Sequence, residues 1–192
     1  MVKTICVFCS SSNAVDAVYF GAARELGEAM ARRGWGLVYG GSDVGLMGAV
    51  ARAVHLHHGT VVGVIPQTIH AQGIAYETAD ELLVTKDLRE RKAEMERRAD
   101  AFIAMPGGFG TLEEIIEVLT LKQLQLHLKP IIFLNINGFY DPLVTLFEHF
   151  YQQQFARPGS RDLYCVAPDV NRAIEYIESY QPPVIQSKWL PG

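Results

Sequence analysis

Residues 101–114 read Ala101-Phe102-Ile103-Ala104-Met105-Pro106-Gly107-Gly108-Phe109-Gly110-Thr111-Leu112-Glu113-Glu114. The first five form an apolar run with the length of a strand buried on both faces. Beyond the glycines, Leu112, Ile115, Ile116 and Leu119 recur at helical spacing. The stretch is therefore a strand joined to a helix through a turn made almost entirely of backbone. Its glycines permit positive φ and close approach of a ligand, while the free N–H groups and positive dipole end of the helix favour a phosphate. Glu114 is the unusual residue, because a phosphate seat gains nothing from a neighbouring carboxylate; its presence points to chemistry. The same residues admit a plainer account. Thr111-Leu112-Glu113-Glu114 also fits a capping box, with Thr111 as the cap and Glu114 reaching back to the cap's N–H.

Outward from this stretch, hydrophobic strands alternate with amphipathic helices. Strands are expected at 2–9, 36–39, 61–65, 82–84, 101–105, 131–134 and 163–166, and helices at 17–33, 46–57, 88–98, 112–126, 141–153 and 170–180. This pattern predicts an α/β fold: a Rossmann-like parallel sheet of about seven strands with helices on both faces. Right-handed crossovers put every strand-to-helix loop at one sheet edge, where ligands bind in open α/β sheets. No linker or repeat divides residues 1–192, which read as one α/β domain with an extended tail over 181–192 marked by Pro182, Pro183 and Pro191.

A second glycine-rich loop, Tyr39-Gly40-Gly41-Ser42-Asp43-Val44-Gly45-Leu46-Met47-Gly48, falls on the same edge. Alone it fits tight strand–helix packing as well as ligand binding; paired with residues 106–111 it points to a phosphorylated, nucleotide-like ligand. No Lys-Ser or Lys-Thr follows the glycines, which disfavours a nucleoside triphosphatase. Strand 61–65 ends in Pro66-Gln67 rather than the acid that would hold a dinucleotide's ribose, which disfavours a dehydrogenase.

A formal net charge of −4 gives no global attraction to nucleic acid or an anionic membrane, so an anion must be captured locally. With no run of eighteen apolar residues and no signal-like N-terminus, the expected location is the cytoplasm. Cys6, Cys9 and Cys165 are too few for a disulfide framework, and Cys6 and Cys9 should face opposite sides of a strand rather than form a redox pair. His55, His57 and His58 read as a solvated helix terminus, without the partners a metal site requires. The charged helix over 88–98 leads into the strand before the phosphate seat. Arg91 there could clamp a phosphate or hold a carboxylate, and Met95 could pack against a base.

Glu90-Arg91-Lys92-Ala93-Glu94-Met95 followed by residues 101–114 resembles the Lonely Guy family of cytokinin riboside 5′-monophosphate phosphoribohydrolases, a family also labelled possible lysine decarboxylase. The resemblance runs from Cys6 through Gly40-Gly41 and the core P-G-G-x-G-T-x-x-E to Gly138-Phe139-Tyr140-Asp141, most of the chain. It implies hydrolysis of the N-glycosidic bond of purine ribonucleoside 5′-monophosphates, adenosine or N6-modified adenosine, with Arg91 and Glu114 as the catalytic pair. It also implies substrate contacts from Arg91, Lys92, Gly107, Gly108, Phe109, Gly110, Thr111, Leu112, Glu113, Glu114 and Thr120. No cofactor and no metal are implied. The expected partners are the small nucleotide and a second copy of the chain; helix 112–126 carries apolar residues on more than one face, which accords with a homodimer. This chain departs from the family pattern at Ser10, Ser42 and Leu88-Arg89, none of them in the catalytic pair. A decarboxylase would need a Schiff-base lysine, and nothing marks one. A nucleotide-sensing module without turnover remains the alternative, although mere binding has no use for Glu114.

Overall fold

The computed structural model describes residues 3–185. Seven parallel strands build one sheet: β1 (Thr4–Phe8), β2 (Gly36–Tyr39), β3 (Val61–Pro66), β4 (Glu81–Thr85), β5 (Ala101–Ala104), β6 (Ile131–Leu134) and β7 (Cys165–Ala167). Their order is β4-β3-β2-β1-β5-β6-β7. The helices are α1 (Ala17–Ala31), α2 (Gly45–Leu56), α3 (Gln67–His70), α4 (Leu88–Arg98), α5 (Phe109–Gln123), α6 (Asp141–Gln152) and α7 (Val170–Ser179). The Rossmann-like α/β sheet expected from the alternation is the observed architecture. The chain steps outward from β1 to β4, then returns to lay β5 on the other side of β1, so a topological switch point opens between β1 and β5.

The apolar runs are continuous because both faces of the sheet are covered. On one face Ile5, Val7, Leu37 and Ile103 pack with Leu26 and Met30 of α1, Val50 and Val54 of α2 and Ile174 of α7. On the other, Cys6, Val38, Phe102 and Phe133 pack with Met95 of α4, Ile115 and Val118 of α5 and Phe147 of α6. Cys6 and Cys9 fall in opposite clusters, as the period-two reading requires. Both thiols are pushed up by burial, which makes them poor nucleophiles.

Several local expectations are corrected. The last strand lies at Cys165–Ala167, because a 3-10 helix at Pro158–Leu163 takes up Leu163. The short α3 at Gln67–His70 has too few residues for helical periodicity to reveal it. Residues 181–185 carry no regular structure, and the rest of the expected tail lies outside the described residues. His55 does lie in the last turn of α2, but it is half-buried rather than solvated: its ring bonds the Tyr76 hydroxyl at 2.9 Å and Asp80 at 3.0 Å. The described residues contain no His, Cys, Asp and Glu grouping fit for a metal. No helix among them is long and apolar enough to cross a membrane.

Met95 is also reassigned. It is fully buried beneath the sheet, among Cys6, Val64 and Phe102, and is a core residue rather than a surface for a base. Replacing Met95 with Ala leaves a cavity that the strands above cannot collapse to fill, and is expected to cost about 2–5 kcal/mol of stability. Urea denaturation of the variant against the parent measures this.

Candidate active site

The strand-to-helix loops converge on a cavity of ≈ 500 Å³ at the carboxyl edge of the sheet. Each of β1 to β5 contributes. Ser10, Ser11 and Ser12 come from the loop after β1, Gly40, Ser42 and Met47 from β2, Ile69, Gln72 and Ile74 from β3, Leu88 and Arg91 from β4, and Gly108, Gly110, Thr111 and Glu114 from β5. Ser10 N–H donates to the Pro106 carbonyl and its carbonyl accepts from Leu46 N–H at 2.9 Å, so the loops after β1, β2 and β5 are laced together. Tyr140 fastens the end of β5 by donating its hydroxyl to the Met105 carbonyl at 2.7 Å.

Within the cavity Arg91 and Glu114 form a buried ion pair through Nη1 and Oε1. Asp87 sets the position of Arg91. Its carboxylate caps α4 by accepting from Arg89 and Glu90 N–H at 2.9 Å, while Glu90 reaches back to Lys86 N–H at 2.7 Å. A capping arrangement thus exists in this chain, at Asp87-Leu88-Arg89-Glu90 rather than at Thr111–Glu114. Arg91 then passes under β3, donates Nε–H to the Val64 carbonyl at 3.0 Å, and presents its guanidinium to Glu114. A side chain at Gly40 would collide with that guanidinium, which gives this glycine its use. Burial pushes the Glu114 carboxyl above the ordinary glutamate value; the neighbouring Arg91 pulls it down without cancelling the shift.

Helix α5 begins earlier than expected, at Phe109, with Gly108 as its cap and no side chain bonded to its leading amides. Thr111 lies inside the helix and is buried, so the capping-box reading is overturned. Glu114 consequently sits in the second turn, aimed at Arg91 and not at the backbone. None of Gly107, Gly108 and Gly110 adopts positive φ; that conformation occurs instead at Gly41 and Gly45. The glycines after β5 serve space. A Cβ at Gly107 would strike the Thr111 hydroxyl, whereas at Gly108 and Gly110 it would meet no protein atom and would project into open space. The helix start is uncapped and has no acid in its first turn, so its leading amides and the positive end of its dipole have no side-chain partner.

The remaining expected contacts divide. Phe109 is 94% exposed and Leu112 half-buried, and neither lines the cavity. Lys92 pairs with Glu113 and Glu117 on the flank of α4 and α5, outside the cavity lining. Thr120 is exposed and donates its hydroxyl to the Ile116 carbonyl at 2.8 Å, an ordinary helical position. The sequence reading missed Ile69, Gln72 and Ile74, whose only signal is the short apolar punctuation after Pro66. No lysine lines the cavity. Lys122 is fully buried and its amine is drawn down to about 8 by desolvation, yet its Nζ donates to the Leu163 carbonyl away from the ion pair.

A parallel sheet with a cavity at its β1/β5 switch point, lined by a buried ion pair and an uncapped helix start, has the architecture of an α/β nucleotide enzyme. Residues 47–177 match the family model described as "Possible lysine decarboxylase". A probable cytokinin riboside 5′-monophosphate phosphoribohydrolase of Oryza sativa subsp. japonica is 44% identical over 191 residues, 97% of this chain and 78% of the relative. A cytokinin riboside 5′-monophosphate phosphoribohydrolase of Arabidopsis thaliana is 41% identical over 191 residues, 97% of this chain and 84% of the relative. The chain belongs to this family, the Lonely Guy phosphoribohydrolases, which are hydrolases of an N-glycosidic bond. The molybdenum cofactor binding protein of Rippkaea orientalis shares the fold, with a TM-score of 0.72 at 24% identity over 93% of this chain and 97% of that one.

Open space at Gly110 separates ligand binding from stability. Gly110→Ala is expected to leave the melting temperature unchanged or raise it, since alanine in the helix is favoured by up to about 1 kcal/mol. The added methyl group should at the same time weaken binding of phosphate-bearing ligands, read by calorimetric titration with ribose 5-phosphate.

Proposed function

We propose that the protein hydrolyses cytokinin riboside 5′-monophosphates, and adenosine 5′-monophosphate as well, to the free base and ribose 5-phosphate. One observation carries the reading: Glu114, buried and held by Arg91, shares a cavity with the uncapped start of α5. The amides after Gly108 and the Thr111 hydroxyl receive the 5′-phosphate, and this remote anchor fixes the anomeric carbon relative to Glu114. As the glycosidic bond lengthens, positive charge gathers on the ribose. The Glu114 carboxylate stabilises that charge and orients the attacking water, whose oxygen bonds to the anomeric carbon as the base departs with the bonding electrons; the proton the water gives up is matched by the one the departing base nitrogen takes up. Arg91 is already committed to Val64 and Glu114, which supports its role as the group that keeps the carboxylate ionised and aligned.

Strand β3 lies three strand spacings from β5, so its loop stands about 14 Å from the phosphate seat, a distance suited to the base end of a nucleotide. Met47, Ile69, Ile74 and Leu88 give that end an apolar wall, which suits a flat purine and an apolar N6 substituent. Three free thiols accord with a reducing, cytoplasmic setting. The chain also acts as a homodimer in this reading. Ile115 and Val118 of α5 are buried within the chain, but Leu124 and Leu126 near its end, and Leu146 and Phe150 of α6, remain exposed.

Incubation with adenosine 5′-monophosphate and with its N6-isopentenyl form, followed by chromatography, should show free base from both, and far less from the nucleosides lacking phosphate. Retention of intact nucleotide would favour a sensing module instead. Glu114→Gln should lower kcat by about 10²–10³ while the fold persists. Activity requires ionised Glu114, and burial raises its pKa above the ordinary 4.5. In the parent, kcat/KM should therefore fall as pH drops through a value above 4.5, and that limb should vanish in Glu114→Gln. Light scattering should give about twice the 21.3 kDa chain mass; a fully active species at 21.3 kDa would remove the dimer.

A further inference from the structure

The segment over residues 67–76 folds back against the loop after β2, in the one antiparallel bridge outside the named strands of the described residues, Ser42 to Ala75. Asp43 N–H donates to the Ile74 carbonyl at 2.8 Å, the Ser42 hydroxyl to the same carbonyl at 3.2 Å, and Tyr76 N–H to the Gly41 carbonyl at 2.8 Å. From this segment Ile69, Gln72 and Ile74 enter the cavity, at the end away from the phosphate seat.

A chain of polar side chains fastens the segment from outside the cavity. The Tyr76 hydroxyl is 2.9 Å from His55 Nδ1, and His55 Nε2 is 3.0 Å from Asp80 Oδ2. The same Asp80 oxygen accepts from Val61 N–H at 2.7 Å, which ties the chain to the first residue of β3. These bonds hold the Asp80 carboxyl below its usual range, Val61 contributing more than His55. A carboxylate can only accept, so Nε2 carries the proton; in the uncharged ring Nδ1 then accepts from the Tyr76 hydroxyl. The His55 and Tyr76 rings also lie 5.4 Å apart, tilted against each other. None of the three residues lines the cavity.

We propose that Asp80, His55 and Tyr76 are positioning residues that hold the 67–76 segment as the wall against the base, and so set affinity for the nucleoside part of the substrate. This rests on the nucleotide reading given above. The physical logic is that of an outer support. The backbone bridge keeps the segment folded, while the side-chain relay fixes how far it leans over the cavity, so a lost relay loosens base contacts and leaves the phosphate seat and the Arg91–Glu114 pair untouched.

Tyr76→Phe deletes one hydrogen bond and preserves the ring packing. It should raise KM for adenosine 5′-monophosphate by about three- to tenfold, the worth of one such bond. Turnover number should stay within about twofold, and product inhibition by ribose 5-phosphate, which has no base, should be unchanged. His55→Ala should behave likewise, and His55→Gln, which keeps one donor and one acceptor, should recover part of the loss. An unchanged KM in Tyr76→Phe overturns the inference. So does a parallel weakening of ribose 5-phosphate inhibition, since that marks general loosening rather than support of the base wall. A parent protein that neither binds nor cleaves the monophosphate removes the proposed function and this inference with it. A parent that does both, with Tyr76→Phe matching it in KM, removes this inference alone.

Discussion

The buried pair of Arg91 and Glu114 is the constraint around which the carboxyl edge of this sheet is arranged. Two charges withdrawn from water lose several kcal/mol of hydration each, and their attraction offsets this only when their other polar atoms are also engaged. Arg91 meets that condition through the Val64 carbonyl. Glu114 is less well compensated, which is why desolvation prevails and its carboxyl sits above the ordinary value. A pair of apolar residues would fill the same volume at lower cost. Its place in the cavity makes sense as chemistry: a partly compensated carboxylate in a low-dielectric site acts strongly on any positive charge that develops beside it.

That pair exists because three elements meet there. β3 offers a carbonyl, α4 brings Arg91 beneath the sheet, and α5 brings Glu114 down from the switch point. Gly40 leaves room for the guanidinium, and Asp87 sets the start of α4 so that Arg91 falls one turn inside it. The cavity is consequently polarised along the sheet. Bare amides stand at the β5 end, the ion pair in the middle, and apolar side chains toward β3 and β4. The molybdenum cofactor binding protein of Rippkaea orientalis shares this scaffold at 24% identity, which demonstrates the fold alone. What a chain of this fold does depends on which side chains occupy the edge.

Residues 101–114 and the alternation around them determine much of this protein by local sequence alone. Apolar runs of strand length, helical periodicity and backbone-rich turns are local signals, so the α/β class, six helices, the shared edge of the strand-to-helix loops and the strand leading into the glycine-rich turn were legible. Arg91 and Glu114 stood out because each is a charge set beside the glycine-rich turn or a strand that leads to it. Tertiary structure alone decided what each charge does. Thr111–Glu114 matches a capping box locally, but Arg91, 23 residues upstream of Glu114, outcompetes the backbone for that carboxylate. Met95 lies on a highly charged helix whose buried stripe is narrow, so its role in the core appears only once the sheet is laid across it. His55 and Asp80 are 25 residues apart, and the bridge of Ser42 to Ala75 joins the loop after β2 to the loop after β3. Hydrogen bonds between distant residues leave no period in a sequence. Only the folded chain brings them within hydrogen-bond reach, and with them the segment that lines that end of the cavity.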